Sequence, residues 1–306
     1  NFQVSFNRNT LKALSGTTAA SIVGYGQWSD VVCVSEIGKP LYNFYGYVVE
    51  GVYESLEDLE NSPKTAKHPA NGVYNRSNTV WVGDLKYKDI NEDGKIDDQD
   101  RTDIGSPLPK FTFGWNNTFR YKNFDLNIFL NGSYGNKVLN YSLMNGPSGG
   151  LASMRSAWVN QNNHAIKDRA QLAPIDPDKV YESGNWYDDI TNVKVVNSGT
   201  KTPRPTLNDP NDNDRLSTRY IEDGSYLRIK NLTLGYTFPK KWMQKAHFDN
   251  IRVYCNIQNL YTFTKYSGYD PEVGASTQDS SGYAYGVDNG RYPSPTTYSF
   301  GVSLTF

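Results

Sequence analysis

Residues 297–306 constrain the fold more than any other stretch of the chain. They read Thr-Tyr-Ser-Phe-Gly-Val-Ser-Leu-Thr-Phe, so every even-numbered residue is apolar and every odd-numbered residue is small or polar. In a β-strand, successive side chains point to opposite faces, so a period of two separates the two sets. The stretch therefore predicts a strand with one fully apolar face.

Two kinds of protein use strands of this kind. A soluble β-sandwich buries the apolar face against a second sheet, whereas a membrane β-barrel turns it to lipid over segments of about ten residues. Here the alternation runs to the aromatic residue Phe306, with no polar tail after it, which favours a membrane barrel. One strand leaves both interpretations open, so the rest of the chain must decide between them.

Composition narrows the choice of class. Apolar residues are only 37% of the 306, yet 23 are Tyr and 14% are aromatic, which is typical of β-rich proteins. No apolar run is long enough for a membrane-spanning helix, so a membrane role would fall to strands. The 31 basic residues balance 32 acidic ones without a basic stripe, which excludes nucleic acid as an expected partner. Cys33 and Cys255 lie too far apart in sequence to indicate a disulfide framework.

Further stretches repeat the amphipathic pattern. Residues 110–121 and 124–134 each carry one apolar and one polar face, and the two-residue turn Lys122-Asn123 joins them. Residues 251–260 alternate in the same way, and residues 2–7 begin in the middle of such a pattern. These stretches predict antiparallel strands that are connected by short turns on one side.

The stretch 225–238 contains a change of phase. Leu227 and Ile229 are odd-numbered, whereas Leu232 and Leu234 are even-numbered. A slip of one residue would turn the apolar set to the other face unless the strand carries an extra residue. We therefore expect a β-bulge near Lys230.

Long polar connections separate the strands. They run to about residue 109, over residues 135–218 with a short helix expected near residues 153–160, and over residues 266–296. Long connections are uncommon in compact soluble domains but ordinary on the outer face of a membrane barrel. The whole chain, residues 1–306, is therefore expected to be one part of a transmembrane antiparallel β-barrel with long extracellular loops.

About six strands are too few to close a barrel, which needs at least about eight. Open edges cannot remain unpaired in lipid, so the pattern predicts the C-terminal segment of a larger barrel in the outer membrane. The lipid face is expected to carry Phe111, Trp115, Leu126, Ile128, Val253, Ile257, Phe300 and Leu304. The lumen face is expected to carry Thr112, Arg120, Asn127, Arg252, Asn256 and Ser303.

Several motifs, in this order, resemble the C-terminal portion of the SusC-like TonB-dependent outer-membrane transporters of Bacteroidetes. They are Gly-Asp-Leu-Lys-Tyr-Lys-Asp at 83–89, Asn-Glu-Asp-Gly-Lys-Ile-Asp at 91–97, Ile-Gly-Ser-Pro-Leu-Pro-Lys-Phe at 104–111, Ser-Thr-Arg-Tyr-Ile-Glu-Asp-Gly-Ser-Tyr-Leu-Arg at 217–228, Asn-Leu-Tyr-Thr-Phe-Thr-Lys-Tyr at 259–266, Gly-Tyr-Asp-Pro-Glu at 268–272 and the terminal Phe306.

The resemblance implies a barrel of about 22 strands that imports oligosaccharides or peptides. It also implies a SusD-like surface lipoprotein that acts as a lid, and a TonB complex that is contacted through an N-terminal part with a plug. We find no counterpart of the plug in this chain, so the remaining N-terminal barrel and plug segment are expected partners.

Residues 89–100 have the spacing of a calcium loop, with oxygen side chains at positions 1, 3 and 5 and Gly at position 6. Position 12 is Asp where an EF-hand has Glu, so a shorter arm must reach the ion. The alternative is an acidic turn without an ion. The expected ligands are Asp89, Asn91, Asp93, the carbonyl of Lys95, Asp97 directly or through water, and Asp100.

Catalytic signals are weak, and we expect no enzyme. His68, His164 and His247 have no metal-ligand spacing and are expected to be surface residues. Aromatic loop residues could stack on sugar rings or clamp a peptide, although such residues also simply pack. The candidate substrate-binding residues are Tyr266, Tyr269, Tyr283, Tyr285 and Tyr292.

Three functions remain open from the sequence. The leading one is a TonB-dependent nutrient importer, and the second is a calcium-stabilised adhesin or passive porin that binds glycans through its outer loops. A third is an outer-membrane hydrolase built on a barrel, for which the histidine positions give no support.

Overall fold

The structure is a computed structural model. It describes residues 1–14, 21–26, 31–145, 168–181, 184–206, 209–245, 248–274 and 282–306. Its largest sheet has six antiparallel strands in the order β1-β10-β11-β16-β17-β19. These are β1 (Phe2–Ser5), β10 (Phe111–Tyr121), β11 (Phe124–Tyr134), β16 (Tyr226–Thr237), β17 (Asn250–Thr264) and β19 (Thr297–Thr305).

The six strands are those that the period of two predicts. Lys122, in the two-residue turn between β10 and β11, adopts a positive φ of 53°, as tight hairpin turns require. The bulge expected near Lys230 is confirmed, because the pairing of β16 with β17 shifts register between Ile229 and Asn231. The structure thus confirms the fold class that the sequence predicts, a segment of an antiparallel β-barrel.

Each face of the sheet is continuous across the strands. On the apolar face, Leu126 pairs with Leu234, Leu234 with Cys255, and Cys255 with Phe300. On the polar face, Asn127 lies opposite Thr233 in the adjoining strand. The bulge at Lys230 keeps both faces in phase, since Ile229 and Leu232 both pair with apolar residues of β11.

The passages between the large strands form smaller sheets. Four strands make one of them, β2 (Ser21–Tyr25), β3 (Val31–Glu36), β4 (Asn43–Gly46) and β9 (Thr102–Gly105). Three make another, β15 (Ile221–Asp223), β12 (Lys137–Asn140) and β18 (Val287–Asp288). The two-stranded pairs are β5 (Val49–Val52) with β7 (Leu85–Tyr87), β6 (Lys64–Thr65) with β8 (Lys95–Ile96), and β13 (Leu172–Pro174) with β14 (Val193–Val195).

Helices are short. Among the described residues, the α-helices are α1 (Leu56–Glu60), α2 (Tyr141–Asn145) and α3 (Lys240–Lys245), and single 3-10 turns lie at Asp98–Asp100, Trp186–Asp188, Ile190–Asn192 and Thr218–Tyr220. Within the described ranges, no helix has the length and apolar character needed to cross a bilayer. The helix expected near residues 153–160 lies outside the described residues.

The long connections carry hydrophobic cores of their own, which the sequence analysis does not anticipate. One core joins Trp81 and Leu85 to Val193, so it brings together two connections that are far apart in sequence. A second core packs Phe44 and Leu139 against Tyr220. We call the described residues 31–105 and 168–223 the loop layer, because buried side chains hold these connections together as an ordered body.

Candidate functional site

Hydrogen-bonded polar side chains line one face of the six-stranded sheet. The Asn127 amide donates to Asn116 Oδ1 at 2.8 Å and to Thr118 Oγ1 at 2.9 Å. Further across the sheet, Thr233 Oγ1 donates to Asn256 Oδ1 at 2.8 Å. Neutral groups that both donate and accept can exchange these bonds with water or with a polar solute. This face is suited to the wall of an aqueous passage.

An ion pair on the same face joins strands β11 and β17. Arg252 Nε lies 3.0 Å from Asp125 Oδ1, and Arg252 Nη2 lies 2.6 Å from Asp125 Oδ2. This two-point contact fixes the plane of the guanidinium group, as bidentate arginine–carboxylate pairs do. The pair places a fixed charge pattern among the neutral polar groups.

A buried arginine cluster ties the loop after β17 to the wall of the sheet. Arg228 Nη2 lies 2.5 Å from Asp270 Oδ1, Nη1 lies 2.7 Å from Glu272 Oε2, and Nε donates to Thr262 Oγ1 at 2.7 Å. Burial alone would raise the pKa of the Asp270 carboxyl, but hydrogen bonds from the Glu272 backbone and from Arg228 lower it overall. The loop therefore begins from a fixed point at the sheet.

Sequence reasoning did not find this cluster. Arg228 lies at a polar position of its strand, between the apolar residues Leu227 and Ile229, and Asp270 and Glu272 follow the next strand along the chain. The sequence signal that could have indicated this pairing is a charge within one strand together with carboxylates just after the neighbouring strand.

Tyr266 differs from the other candidate substrate-binding tyrosines. Its side chain is buried, and its hydroxyl donates to Asp288 Oδ2 at 2.6 Å. Burial raises the pKa of the Tyr266 hydroxyl, and the hydrogen bond to Asp288 raises it further. In this structure Tyr266 anchors the loop and does not present its ring to solvent.

The remaining tyrosines lie nearer the surface. Tyr269 and Tyr292 are the most exposed, at 77% and 86%, and Tyr283 is also exposed. Tyr285 is half-buried and stacks on Tyr42, with ring centroids 5.8 Å apart. Exposed rings are available for stacking on a ligand, and the substrate-binding role of these four tyrosines stays a prediction.

The loop 89–100 is folded by its own acidic side chains. Asp89 Oδ1 accepts from Glu92 N at 2.7 Å, and Asp89 Oδ2 accepts from Gly94 N at 2.8 Å. Gly94 has a φ of 82° and so supplies the sharp turn. Asn91 Oδ1 and Asp93 Oδ1 accept from backbone N–H groups two residues ahead.

Asp100 closes the loop from the far end. It is fully buried, its Oδ1 accepts from Ile90 N at 2.8 Å, and its Oδ2 accepts from Asp97 N at 2.8 Å. Asp97 Oδ1 in turn accepts from Gln99 N, while Lys95 lies exposed on β8. Within the described part of the chain, no three His, Cys, Asp or Glu side chains lie close enough to form a metal-binding group.

The expectation for His68 is corrected by the structure. His68 is half-buried, and its Nδ1 is inaccessible to solvent and has no hydrogen-bond partner among the described residues. It lines a cavity next to β6 and β8, whereas the sequence analysis expected a surface residue. His164 and His247 lie outside the described residues.

Comparison with curated proteins finds relatives over most of the chain. The chain is 32% identical over 274 residues to TonB-dependent receptor P3 of Formosa agariphila. This match covers 88% of this chain and 22% of that protein. It is 27% identical over 221 residues to TonB-dependent receptor SusC of Bacteroides thetaiotaomicron, covering 72% of this chain and 17% of that protein. The chain thus spans about a fifth of the length of these relatives. No protein-family model matches.

Solved structures share the fold. A chain of the RagAB peptide importer in the "closed-closed" state aligns with all of this chain and 27% of its own length, at a TM-score of 0.58 and 18% identity. A chain of the RagAB peptide transporter covers 90% of this chain and 24% of its own length, at a TM-score of 0.55 and 19% identity.

The continuous apolar and polar faces of the sheet, together with these matches, define a segment of a TonB-dependent receptor barrel. Within that class, the chain corresponds to part of a SusC-like TonB-dependent receptor, which confirms the resemblance that its motifs carry.

Proposed function

We propose that this chain forms part of an outer-membrane importer that takes up nutrients with energy supplied through TonB. The observation that carries the proposal is the sheet, which has an apolar face for lipid and a hydrogen-bonded polar face for an aqueous passage. The chain would then lie in the cell outer membrane, as the C-terminal part of a barrel whose plug segment belongs to the same receptor. Its relatives carry the name TonB-dependent receptor, which supports a transporter over an enzyme.

The substrate class is proposed as oligosaccharides or peptides. A peptide is supported by the RagAB structures, which are described as a peptide importer. An oligosaccharide is compatible with the exposed rings of Tyr269 and Tyr292, since aromatic faces stack on sugars as well as on peptide groups. The ordered loop layer offers a fixed surface on which a SusD-like lipoprotein could dock as a lid.

We also propose that the loop 89–100 binds one calcium ion with a structural role. Its expected ligands are all oxygen atoms, which favours calcium over softer metals. Seven acidic residues between Asp89 and Asp103 face only Lys95 and Arg101 within the same stretch, so a bound cation would relieve their repulsion. Binding would require the carboxylates of Asp89, Asp93 and Asp100 to turn towards a common centre.

Uptake by whole cells tests the proposed transport function. Cells that express the intact receptor are supplied with labelled oligosaccharides or labelled peptides, in the presence and absence of a functional TonB. We expect uptake of one substrate class and its loss without TonB. Uptake that continues without TonB would favour a passive porin, and surface retention without uptake would favour an adhesin.

A further inference from the structure

Aromatic side chains form a row across the apolar face where the large strands meet the short turns. Tyr121 at the end of β10 pairs with Phe124 at the start of β11, and Phe124 pairs with Tyr236 of β16. The ring centroids of Phe124 and Tyr236 lie 4.8 Å apart, and Tyr121 and Phe124 are exposed. Residues that lie opposite each other in neighbouring strands share one face of the sheet. We call Tyr121, Phe124 and Tyr236 the aromatic row.

A second aromatic pair marks the other end of the apolar face. Phe111 at the start of β10 pairs with Tyr134 at the end of β11, with ring centroids 5.2 Å apart. Strand β10 has 11 residues, so at about 3.4 Å per residue its ends lie roughly 34 Å apart. At a strand tilt of about 45° this length spans roughly 24 Å of membrane, close to the apolar band of about 25 Å in outer-membrane barrels. The aromatic row therefore lies at the level of one membrane surface.

Trp242 continues the aromatic row beyond the end of β16. The ring centroids of Tyr236 and Phe238 lie 5.2 Å apart, and those of Phe238 and Trp242 lie 6.3 Å apart. Trp242 belongs to the short helix α3 and is 62% exposed. Tyr and Trp are enriched at membrane–water interfaces, because each combines an apolar ring with one polar group. Trp242 is thus placed where lipid headgroups begin.

Among the described side chains, three exposed lysines lie at this end of the sheet. Lys122 is in the turn between β10 and β11, and Lys240 and Lys241 begin α3. The turn is joined to the end of β16, since Asn123 Nδ2 donates to the Thr237 carbonyl oxygen at 2.6 Å and Thr237 N donates to the Asn123 carbonyl oxygen at 2.8 Å. The fold therefore gathers the three lysines beside the aromatic row. We call them the basic rim.

The charges of the basic rim are not neutralised within the chain. None of its ammonium groups forms an ion pair with a carboxylate among the described residues. The Lys122 ammonium lies 5.3 Å from the centre of the Tyr121 ring. Asp125 pairs with Arg252 on the polar face, and Asp249, which is exposed just before β17, adds a single negative charge. The basic rim therefore offers net positive charge at the level of the headgroups.

The position of the basic rim indicates which molecules surround it. Short turns lie on the periplasmic side of outer-membrane barrels, so the neighbouring leaflet is the inner one, which consists of phospholipids. Lysine stems can lie along apolar surface while the ammonium groups reach the headgroups. Strands β11 and β16 are each paired on both sides, so strands that complete the barrel extend the sheet at β1 and β19 and leave this face open to lipid.

We propose that the basic rim and Trp242 form a binding site for an anionic phospholipid of the periplasmic leaflet. The headgroup phosphate lies against the ammonium groups of Lys122, Lys240 and Lys241, and the acyl chains pack on the aromatic row. The proposal rests on the proposed place of the sheet in the outer membrane, and it does not depend on import. The lipid binds non-covalently, with no chemical step.

Two phospholipids that differ only in their headgroups test the proposal. Phosphatidylglycerol and phosphatidylcholine with identical acyl chains are titrated into the purified intact receptor in a neutral detergent, and bound lipid is counted by native mass spectrometry. We expect saturable binding of phosphatidylglycerol with at least about tenfold higher affinity than phosphatidylcholine, because each basic residue near an anionic headgroup contributes about fivefold. The preference should decrease as ionic strength rises.

Charge variants locate the binding. A triple variant with Lys122→Gln, Lys240→Gln and Lys241→Gln should bind the two lipids with equal affinity, and it should fold normally because the substituted side chains are exposed. The matched control loses the same charge through three exposed lysines of the loop layer, Lys88→Gln, Lys194→Gln and Lys201→Gln. This control should keep the wild-type preference for phosphatidylglycerol.

Trp242→Leu separates ring packing from charge. We expect it to weaken the binding of both lipids by the same factor, because an indole ring packs on lipid whatever the headgroup charge. A third titration uses lipid A, an anionic lipid of the outer leaflet, and should give weaker binding at the basic rim than phosphatidylglycerol.

Each contrary result overturns the proposal. Equal affinity of the wild-type receptor for phosphatidylglycerol and phosphatidylcholine would exclude recognition of the charge. A preference that survives in the rim variant, or that is lost equally in the loop-layer control, would place the binding elsewhere. Tighter binding of lipid A that depends on the basic rim would place this end of the sheet in the outer leaflet. These outcomes leave the proposed transport function intact, since TonB-dependent uptake tests it separately.

Discussion

Asp84 and Arg204 form a buried ion pair in the centre of the loop layer. Arg204 Nε lies 2.8 Å from Asp84 Oδ1, and the two side chains are 3% and 0% exposed. Asp84 Oδ2 also accepts from Trp81 N at 2.9 Å, and Asn213 Nδ2 donates to Asp84 Oδ1 at 3.2 Å. One carboxylate therefore joins two stretches that are far apart in sequence, residues 81–84 and residues 204–213, so the connections act as one body.

Replacing Asp84 with Asn should destabilise the loop layer strongly. The change leaves the Arg204 charge buried without its partner, which costs about 3–5 kcal/mol. We expect the loop layer to unfold at a lower temperature and to be cleaved faster by protease, while the barrel stays folded. Glu36→Gln is the matched control, because it breaks a more exposed ion pair, in which the Lys39 and Glu36 side chains are 51% and 33% exposed. Its loss should lower the free energy of unfolding by less than about 1 kcal/mol. Equal effects of the two changes would contradict a central role for Asp84.

The stability of the loop layer should fall as pH rises from about 4 to about 7. Burial raises the pKa of the Asp209 carboxyl from its ordinary value of 3.8 to about 7. Burial also raises the pKa of the neighbouring Asp214 carboxyl. Between these values the folded state holds a proton that the unfolded state has lost, so stability decreases with pH. Melting at pH 5 and pH 8 measures this difference.

Asp209→Asn should remove much of that pH dependence and raise the melting temperature at pH 8, because the neutral amide has no charge to bury. Asp178→Asn is the control, since Asp178 is exposed in the loop layer and is not among the groups that raise the pKa of Asp209 or Asp214, and it should leave the pH profile unchanged. If the Asp209 variant keeps the wild-type difference between pH 5 and pH 8, another group is responsible for it.

The sheet could be predicted from the sequence because five of its six strands are long, β1 with four residues being the exception. A strand of 9 to 15 residues repeats the period of two often enough to rise above chance. Even the bulge near Lys230 could be located, since the change of phase between Ile229 and Leu232 requires an extra residue. Long-range pairing then follows from matching faces.

The loop layer could not be predicted in the same way. Its strands have only two to six residues, which is too short for a period to be visible. Its stability depends on contacts such as that between Asp84 and Arg204, which are separated by 120 residues. Local sequence carries no signal for such a pair, because each residue alone resembles an ordinary polar loop residue.

The candidate site residues differ in the same way, since some of their contacts are local in sequence and others depend on packing. The fold of the loop 89–100 follows from local spacing, since Asp89 and Gly94 interact within six residues. The burial of Tyr266 against Asp288 and of His68 beside Lys64 depends on packing. A tyrosine or histidine in a polar stretch looks exposed until its neighbours in space are known.

Asp93→Ala tests the proposed calcium site. The change removes a carboxylate at position 5 of the loop and the acceptor for Lys95 N, so we expect calcium affinity to fall at least tenfold and the loop to become more sensitive to protease. The barrel should stay folded, and docking of the proposed lid lipoprotein should weaken. Glu92→Gln is the control, because position 4 has no ligand role. Absence of calcium binding to the wild-type protein at millimolar concentration would exclude the site.

Arginine substitutions at two neighbouring positions of β17 test which face of the sheet meets lipid. Ile257 pairs with Leu232 and Tyr298 on the apolar face, whereas Asn256 pairs with Thr233 and Ser299 on the polar face. Ile257→Arg should cost about 2–4 kcal/mol if the site lies near the bilayer midplane, because it places a charge in hydrocarbon. Asn256→Arg should be tolerated, since the charge stays in water. Unfolding of the intact receptor by urea in lipid vesicles measures both, and equal losses of stability would mean that the apolar face packs against protein.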